Sequence, residues 1–211
     1  MSARSCAYPE KGNLVTVNPC QIEIDILKHP IGKQDQYAAA YGGMNFFRFN
    51  PDGTVNRKRI FLDDRNARNM RQKLMLFYTG KTRSTDDVLK EQKQNTASKL
   101  DTLDYMRGQA EAMYDTLRNE GFTDIFGQML HEGWLRKQTL ASAISNPDIA
   151  EYYESAMKAG AKGGKLLGAG GGGFLLFYCD ESLQPRVESA IGLRRVDFHV
   201  SLNGSRVVFF S

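Results

Sequence analysis

Apolar positions along the chain change period several times, and each change marks an element. Residues 1–19 are rich in turn formers (Pro9, Gly12, Asn13, Asn18, Pro19), with one short strand-like run at 14–17. Between Gln21 and Leu27 the isoleucines at 22, 24 and 26 alternate with Glu23 and Asp25. A strand and the last turns of a helix both satisfy that pattern. Residues 30–32 break the element, and 34–41 read as a short helix of good formers ended by Gly42 and Gly43. An aromatic strand at 44–49, a turn at 50–53 with glycine in its last place, and a returning strand at 54–60 make a hairpin. Residues 73–79 are almost continuously apolar, as in a strand buried on both faces, and Gly80 closes them.

The period then lengthens. Residues 86–119 place Val88, Leu89, Leu100, Leu103, Met106, Ala110, Met113 and Leu117 at helical spacing, with a stop at 119–121. Further helices are expected at 123–145 and at 147–159, the latter with Pro147 in its first turn and Asn146 as a possible cap. After a glycine-rich stretch come a strand at 174–179, a helix at 181–191, and a closing hairpin of 194–199 and 206–210 about Asn203 and Gly204. Strand, helices, strand, helix, strand, strand is an α+β layout. Trp134 with Leu130 and Leu135 reads as core, and Phe46, Phe47 and Phe49 as hairpin packing.

Composition adds limits. At 211 residues, 41% hydrophobic and 25% charged, the chain is an ordinary globular one of one or two domains. Its 28 basic and 24 acidic residues leave +4, interspersed too evenly to demand nucleic acid and compatible with a phosphorylated small molecule. Cys6, Cys20 and Cys179 are odd in number and far apart, which points to a reducing compartment and away from structural zinc. No apolar run approaches the roughly 18 residues of a membrane span, and none resembles a signal sequence, so a cytoplasmic location and no membrane partner are expected. His29, His131 and His199 stand in no triad spacing.

Three segments carry candidate chemistry. Eight of the fourteen residues 160–173 are glycine. Such a run lets backbone N–H groups converge on an anion, or lets a ligand or another chain segment lie on bare backbone; the alternative is a flexible linker. It is neither a Walker loop, since Lys165 is followed by Leu166, nor a dinucleotide fingerprint, since a helix precedes the glycines and a strand follows them. Asp35, just past Gly32 and two residues after Lys33, suits a catalytic acid or base with a nearby cation, or else a first-turn cap. The run 78–85 combines hydroxyl residues with Lys81 and Arg83, which suits a phosphate or polyol, or equally a solvated loop leading to a cap at Thr85.

Taken in order, the Asp35 segment, residues 78–85 and residues 165–174 resemble the GHMP family of small-molecule kinases, and residues 32–43 look most like its heptose 7-phosphate branch. The resemblance runs from about Cys20 to the C-terminus. It implies a GHMP-kinase-like fold: a partial N-terminal α/β domain, related to ribosomal S5 domain 2, over 1–70, and a ferredoxin-like C-terminal domain over 71–211. It implies ATP and Mg2+ as cofactors and phosphorylation of a sugar phosphate, D-glycero-D-manno-heptose 7-phosphate, to the 1,7-bisphosphate. Asp35 matches the catalytic aspartate, with Lys33 beside it, and Glu23 lies where the family has its metal-binding glutamate. Gly168, Ala169, Gly170, Gly171, Gly172 and Gly173 match the nucleotide-side glycine motif. Gln34, Tyr37, Gly42, Gly43, Thr79, Gly80, Arg83 and Ser84 fall in the substrate-side segments. The family's glycine- and serine-rich ATP loop has no counterpart before Cys20, so the chain is expected to correspond to the back part of such a kinase. The Met44-to-Ile60 hairpin would then keep an open edge, favouring a homodimer or a companion chain. A non-catalytic sugar-phosphate-binding or interaction module is the alternative.

Overall fold

The computed structural model describes residues 19–81 and 85–205. They pack as two compact units, 19–61 with 200–205, and 62–199. The expected strand at 14–17 and the expected strand at 206–210 lie outside the described residues.

In the first unit, Gln21–Ile26 takes the helical alternative, as wide π-type turns in which Leu27 N–H donates to the Ile22 carbonyl at 2.8 Å. Helix α1 (Gln34–Tyr41) ends at Gly42, and strands β1 (Met44–Phe49) and β2 (Val55–Ile60) pair antiparallel from Met44 opposite Ile60 to Phe49 opposite Val55. The hairpin tip closes as its sequence requires, with Asn50 N–H donating to the Thr54 carbonyl and Gly53 N–H to the Asn50 carbonyl, both at 2.9 Å. One hairpin face carries Phe47 and Phe49, which meet Tyr37 edge-to-face at 5.8 and 5.6 Å between ring centroids. Arg57 lies over the Tyr41 ring at 4.1 Å. Residues 201–205 return along the end of α1, with Gly43 N–H donating to the Ser201 carbonyl and Ser205 N–H to the Ala39 carbonyl. Gly42 has φ +59 and its missing Cβ would fall on the Asn203 backbone, so this crossing admits only glycine.

The second unit opens with α2 (Asp64–Lys73), a helix beyond those expected from the sequence. It is a polar helix that buries only Met70 and is capped by Asp63, whose carboxylate accepts from Asn66 N–H at 2.7 Å. A boundary after residue 70 would cut this helix; the compact units divide at Phe61/Leu62 and send 200–205 to the first. Then follow β3 (Leu74–Tyr78), α3 (Thr85–Asn95), α4 (Leu100–Asn119), α5 (Asp124–Gln138), α6 (Pro147–Ala159), β4 (Gly163–Leu166), β5 (Phe174–Tyr178), α7 (Gln184–Ile191) and β6 (Arg194–Arg195). The sheet order is β4-β5-β3-β6, all antiparallel. With the helices grouped between β3 and β4, this is the β-α-β-β-α-β ferredoxin-like topology.

Several expected elements are corrected. The helix expected over 86–119 is interrupted by a 3₁₀ turn at Thr96–Lys99. There the Thr96 and Ser98 hydroxyls donate to carbonyls of the preceding turn, and Asn95 Nδ2 donates to the Leu140 carbonyl at 3.0 Å. The helix expected over 123–145 ends at Gln138, and a separate turn follows at Ser142–Ile144. The strand expected over 194–199 contributes only Arg194 and Arg195 to the sheet. The glycine run is not wholly loop, because Gly163 to Leu166 form β4.

Met75, Phe77, Leu166, Leu175 and Phe177 form the sheet's core face, packed on Trp134, Ile144, Ile149, Ala156 and Val187. Each large side chain fully buried there contributes about 1.5–3 kcal/mol. Leu130 is buried beside Trp134 as expected, whereas Leu135 is 49% exposed. Among the described residues no helix is long and apolar enough to cross a membrane.

Candidate functional site

The two units carry separate parts of the candidate machinery. In the first, the residue capping α1 is Lys33, with no side-chain capping bond, so Asp35 is not a cap. It sits exposed in the first turn, at the positive end of the helix dipole, and its carboxylate has no partner among the described residues. Lys33 is in no ion pair there either. Lys33 and Gln34 line a recess of about 520 Å³ whose other wall is the hairpin tip, with Phe49, Asn50 and Thr54.

Behind the exposed face of α1 lies Gln36, a residue that the motifs did not mark. Its Nε2 donates to Glu23 Oε2 at 3.0 Å, while its buried Oε1 has no partner among the described residues. Glu23 is thus oriented by a side chain that itself retains an unspent oxygen, and a spare buried acceptor is a signal that only burial reveals. Among the described residues no group of three or more His, Cys, Asp and Glu assembles. One oriented carboxylate suits Mg2+, which keeps several waters and takes one or two carboxylates together with substrate phosphates.

Other predicted residues have local work. Tyr37 is buried against the hairpin aromatics. The amides of Gly42 and Gly43 are spent on the carbonyls of Ala38 and Ser201.

In the second unit, the loop 167–173 between β4 and β5 is fastened at both sides. Thr79, only 4% exposed at the end of β3, donates through Oγ1 to the Gly173 carbonyl at 2.9 Å and accepts from Gly173 N–H at 3.1 Å. Gly171 N–H donates to the Ile144 carbonyl, and Gly173 N–H also reaches the Lys81 carbonyl, each at 2.9 Å. Asn146 joins two tasks: its Oδ1 caps α6 at Ile149 N–H and its Nδ2 donates to the Gly171 carbonyl. Gly172 lies so close to the Lys81 carbonyl that a Cβ would come within 2.5 Å of it. The N–H groups of Gly168, Ala169, Gly170 and Gly172 have no partner among the described residues.

Lys81 pairs with Asp148. Gly80 is exposed, and the expected substrate residues Arg83 and Ser84 lie outside the described residues. Thr79 therefore holds the loop rather than presenting its hydroxyl to solvent.

Within the same unit, burial pushes the Lys165 ammonium below its ordinary range, with no charged partner among the described residues to oppose it. Away from the loop, Asp124 and Asp180 each bridge Lys73 and Lys162 in a ring of alternating charge. The Lys162 ammonium is the largest influence lowering both carboxyls, and Lys73 adds to it. The buried Tyr178 phenol, which donates to Asp124 Oδ1 at 2.9 Å, is pushed up to about 12, chiefly by desolvation.

Residues 112–195 match the family model described as GHMP kinases C terminal. Over 156 residues, 71% of this chain and 44% of the relative, the sequence is 30% identical to a D-glycero-alpha-D-manno-heptose 7-phosphate kinase of Campylobacter jejuni. It is 26% identical over 171 residues, 78% of this chain and 17% of the relative, to an L-fucokinase/L-fucose-1-P guanylyltransferase of Bacteroides fragilis. Among solved structures, a D-glycero-D-manno-heptose 1-phosphate kinase from Bacteroides thetaiotaomicron superposes with a TM-score of 0.64 at 23% identity, over 88% of this chain and 51% of that one. The chain thus spans about half, or less, of the proteins it matches, and the last of these likenesses concerns fold.

Proposed function

From a chain whose residues 112–195 match the model of GHMP kinases C terminal, we propose a part in ATP-dependent phosphoryl transfer to a sugar phosphate, with D-glycero-D-manno-heptose 7-phosphate the substrate and the anomeric hydroxyl the acceptor. The observation that carries this reading is Asp35: an exposed carboxylate in the first turn of α1 with no partner among the described residues, next to a recess that Lys33 and Gln34 line. Phosphoryl transfer asks little covalent chemistry of a protein and much positioning. Asp35 accepts the proton of the sugar hydroxyl and aims its oxygen, and Lys33 supplies the cation that balances the incoming phosphate. Gln34 contributes a polar edge to the same recess. Tyr37, Gly42 and Gly43 act on substrate indirectly, by fixing where α1 begins and ends.

The fastened loop 167–173 gives the nucleotide side its shape, with the N–H groups of Gly168, Ala169, Gly170 and Gly172 available to phosphate oxygens. Glu23, oriented by Gln36, would hold Mg2+. When bound, that ion supplies charge neutralisation at the phosphates. Arg83 and Ser84 belong to the substrate side of this proposal by their place in the sequence. A cytoplasmic setting follows from the same reading.

The test is a coupled ATP-consumption assay with heptose 7-phosphate. Asp35→Asn is expected to lower kcat about 10²–10⁴-fold, the usual contribution of a positioned acid or base, while sugar-phosphate binding by calorimetry is retained. Activity that survives the substitution removes Asp35 from the mechanism. Heptose phosphate binding by the unmodified chain without Mg-ATP binding would favour a non-catalytic sugar-phosphate module.

A further inference from the structure

We propose that the hairpin tip opposite Lys33 decides which sugar the recess accepts, with Phe49, Asn50 and Thr54 as specificity-determining residues. This rests on the kinase reading above and adds to it residues that no motif marks. The recess, about 520 Å³, falls within the about 300–1,000 Å³ usual for small-molecule sites. Its apolar wall is Ile24, Ile31 and Phe49. The Phe49 ring is 42% exposed yet held by its contact with Tyr37, which makes it a fixed surface for the C–H face of a sugar.

The polar wall is sparse and rigid. Asn50 Nδ2 donates to Thr54 Oγ1 at 2.9 Å and to Asn56 Oδ1 at 2.6 Å, which spends both amide protons and leaves the carboxamide oxygen as an acceptor. Thr54 Oγ1 spends its own proton on Asp52 Oδ1 at 2.6 Å, so toward a ligand it too can only accept. The tip therefore offers acceptors held in place by the turn, in the recess that the Lys33 ammonium also lines, in no ion pair among the described residues. That arrangement complements a polyol: its hydroxyl donors meet Asn50 and Thr54, while the Lys33 ammonium balances the incoming phosphate. A ligand without hydroxyl donors would bury these oxygens unpaired, which is how a polar site rejects close analogues.

The full chain, 15N-labelled, is titrated with D-glycero-D-manno-heptose 7-phosphate and separately with inorganic phosphate. The expected result is that the amide signals of Phe49, Asn50, Gly53 and Thr54 move with the heptose phosphate and stay in place with phosphate alone. Asn50→Ala and Thr54→Val should each raise the heptose phosphate Kd about tenfold. Heptose phosphate binding that leaves those amides unmoved, or a Kd unchanged in both variants, overturns the specificity assignment and leaves the kinase reading standing. No binding of heptose 7-phosphate by the unmodified chain overturns both. The shift map needs no substitution, so it decides the matter even if a variant fails to fold.

Discussion

At the scale of single residues, Thr79 differs most from its expected part. A hydroxyl at a strand end beside Lys81 suggested ligand contact, but it is buried and closes a pair of hydrogen bonds with Gly173. The Gly173 carbonyl also accepts from Thr79 N–H and Gly173 N–H also donates to the Lys81 carbonyl, so removing the hydroxyl costs only the net worth of its own hydrogen bonds, about 0.5–1.5 kcal/mol each. Thr79→Val, nearly isosteric, should therefore lower the urea-unfolding free energy by about 1–3 kcal/mol for the two bonds together, and Thr79→Ser should recover most of it. Equal stability of Thr79→Val and the unmodified chain would show that the clasp contributes nothing. Asp35 is the opposite case. Its place beside Lys33 and after Gly32 was legible as possible chemistry, and the backbone removes the capping alternative by giving the capping position to Lys33.

At the scale of elements, the glycine run divides into two uses that composition alone cannot separate. Gly163 belongs to a strand, and its missing Cβ would overlap the carbonyl of Gly127 in α5. Glycine is a poor strand former, so β4 exists because α5 lies against bare backbone, a tertiary fact. Gly163→Ala must push that helix away and should cost about 1–3 kcal/mol in urea unfolding, the range for overpacked interiors. Gly32→Ala, with open space around the new methyl and no positive φ, should stay within about 0.5 kcal/mol of the starting chain. Matching losses at the two positions would refute the packing explanation. By contrast α6, with Asn146 as cap and Pro147 in the first turn, was fully legible, because capping and proline chemistry act within a few residues.

At the scale of the whole molecule, stability depends on pH through the ring of Lys73, Lys162, Asp124 and Asp180, which ties the end of α2, the start of α5, and the segments after α6 and β5. Both carboxyls titrate lower in the folded chain than the unfolded value of about 3.9, so their contribution is present above that pH and is lost as pH falls below it. Both ammonium groups are raised. In Lys73 desolvation acts downward and is outweighed by Asp124, Asp180 and Tyr178; in Lys162, Asp124 leads. Their contribution holds below about 10.4 and fades as pH climbs above it. Urea midpoints measured from pH 7 to 2 should fall more steeply below pH 4 for the unmodified chain than for Asp124→Asn, and 1 M salt should narrow the difference. Parallel curves would show the ring to be neutral.

The sequence by itself determined what depends on near neighbours: α1 and its glycine stop, the hairpin with its Asn-Pro-Asp-Gly tip, the apolar β3 and β5, the capped α6, and the α+β order of the second unit. Tertiary structure alone decided the break at Thr96–Lys99, where Asn95 is drawn to Leu140 45 residues away, and the strand inside the glycine run. It also decided that 201–205 would return to α1, and that Phe49, Asn50 and Thr54 would face the recess that Lys33 lines. Local pattern carries propensity and period; it carries no record of which distant backbone a glycine must let pass, or which polar atom burial will leave unpaired.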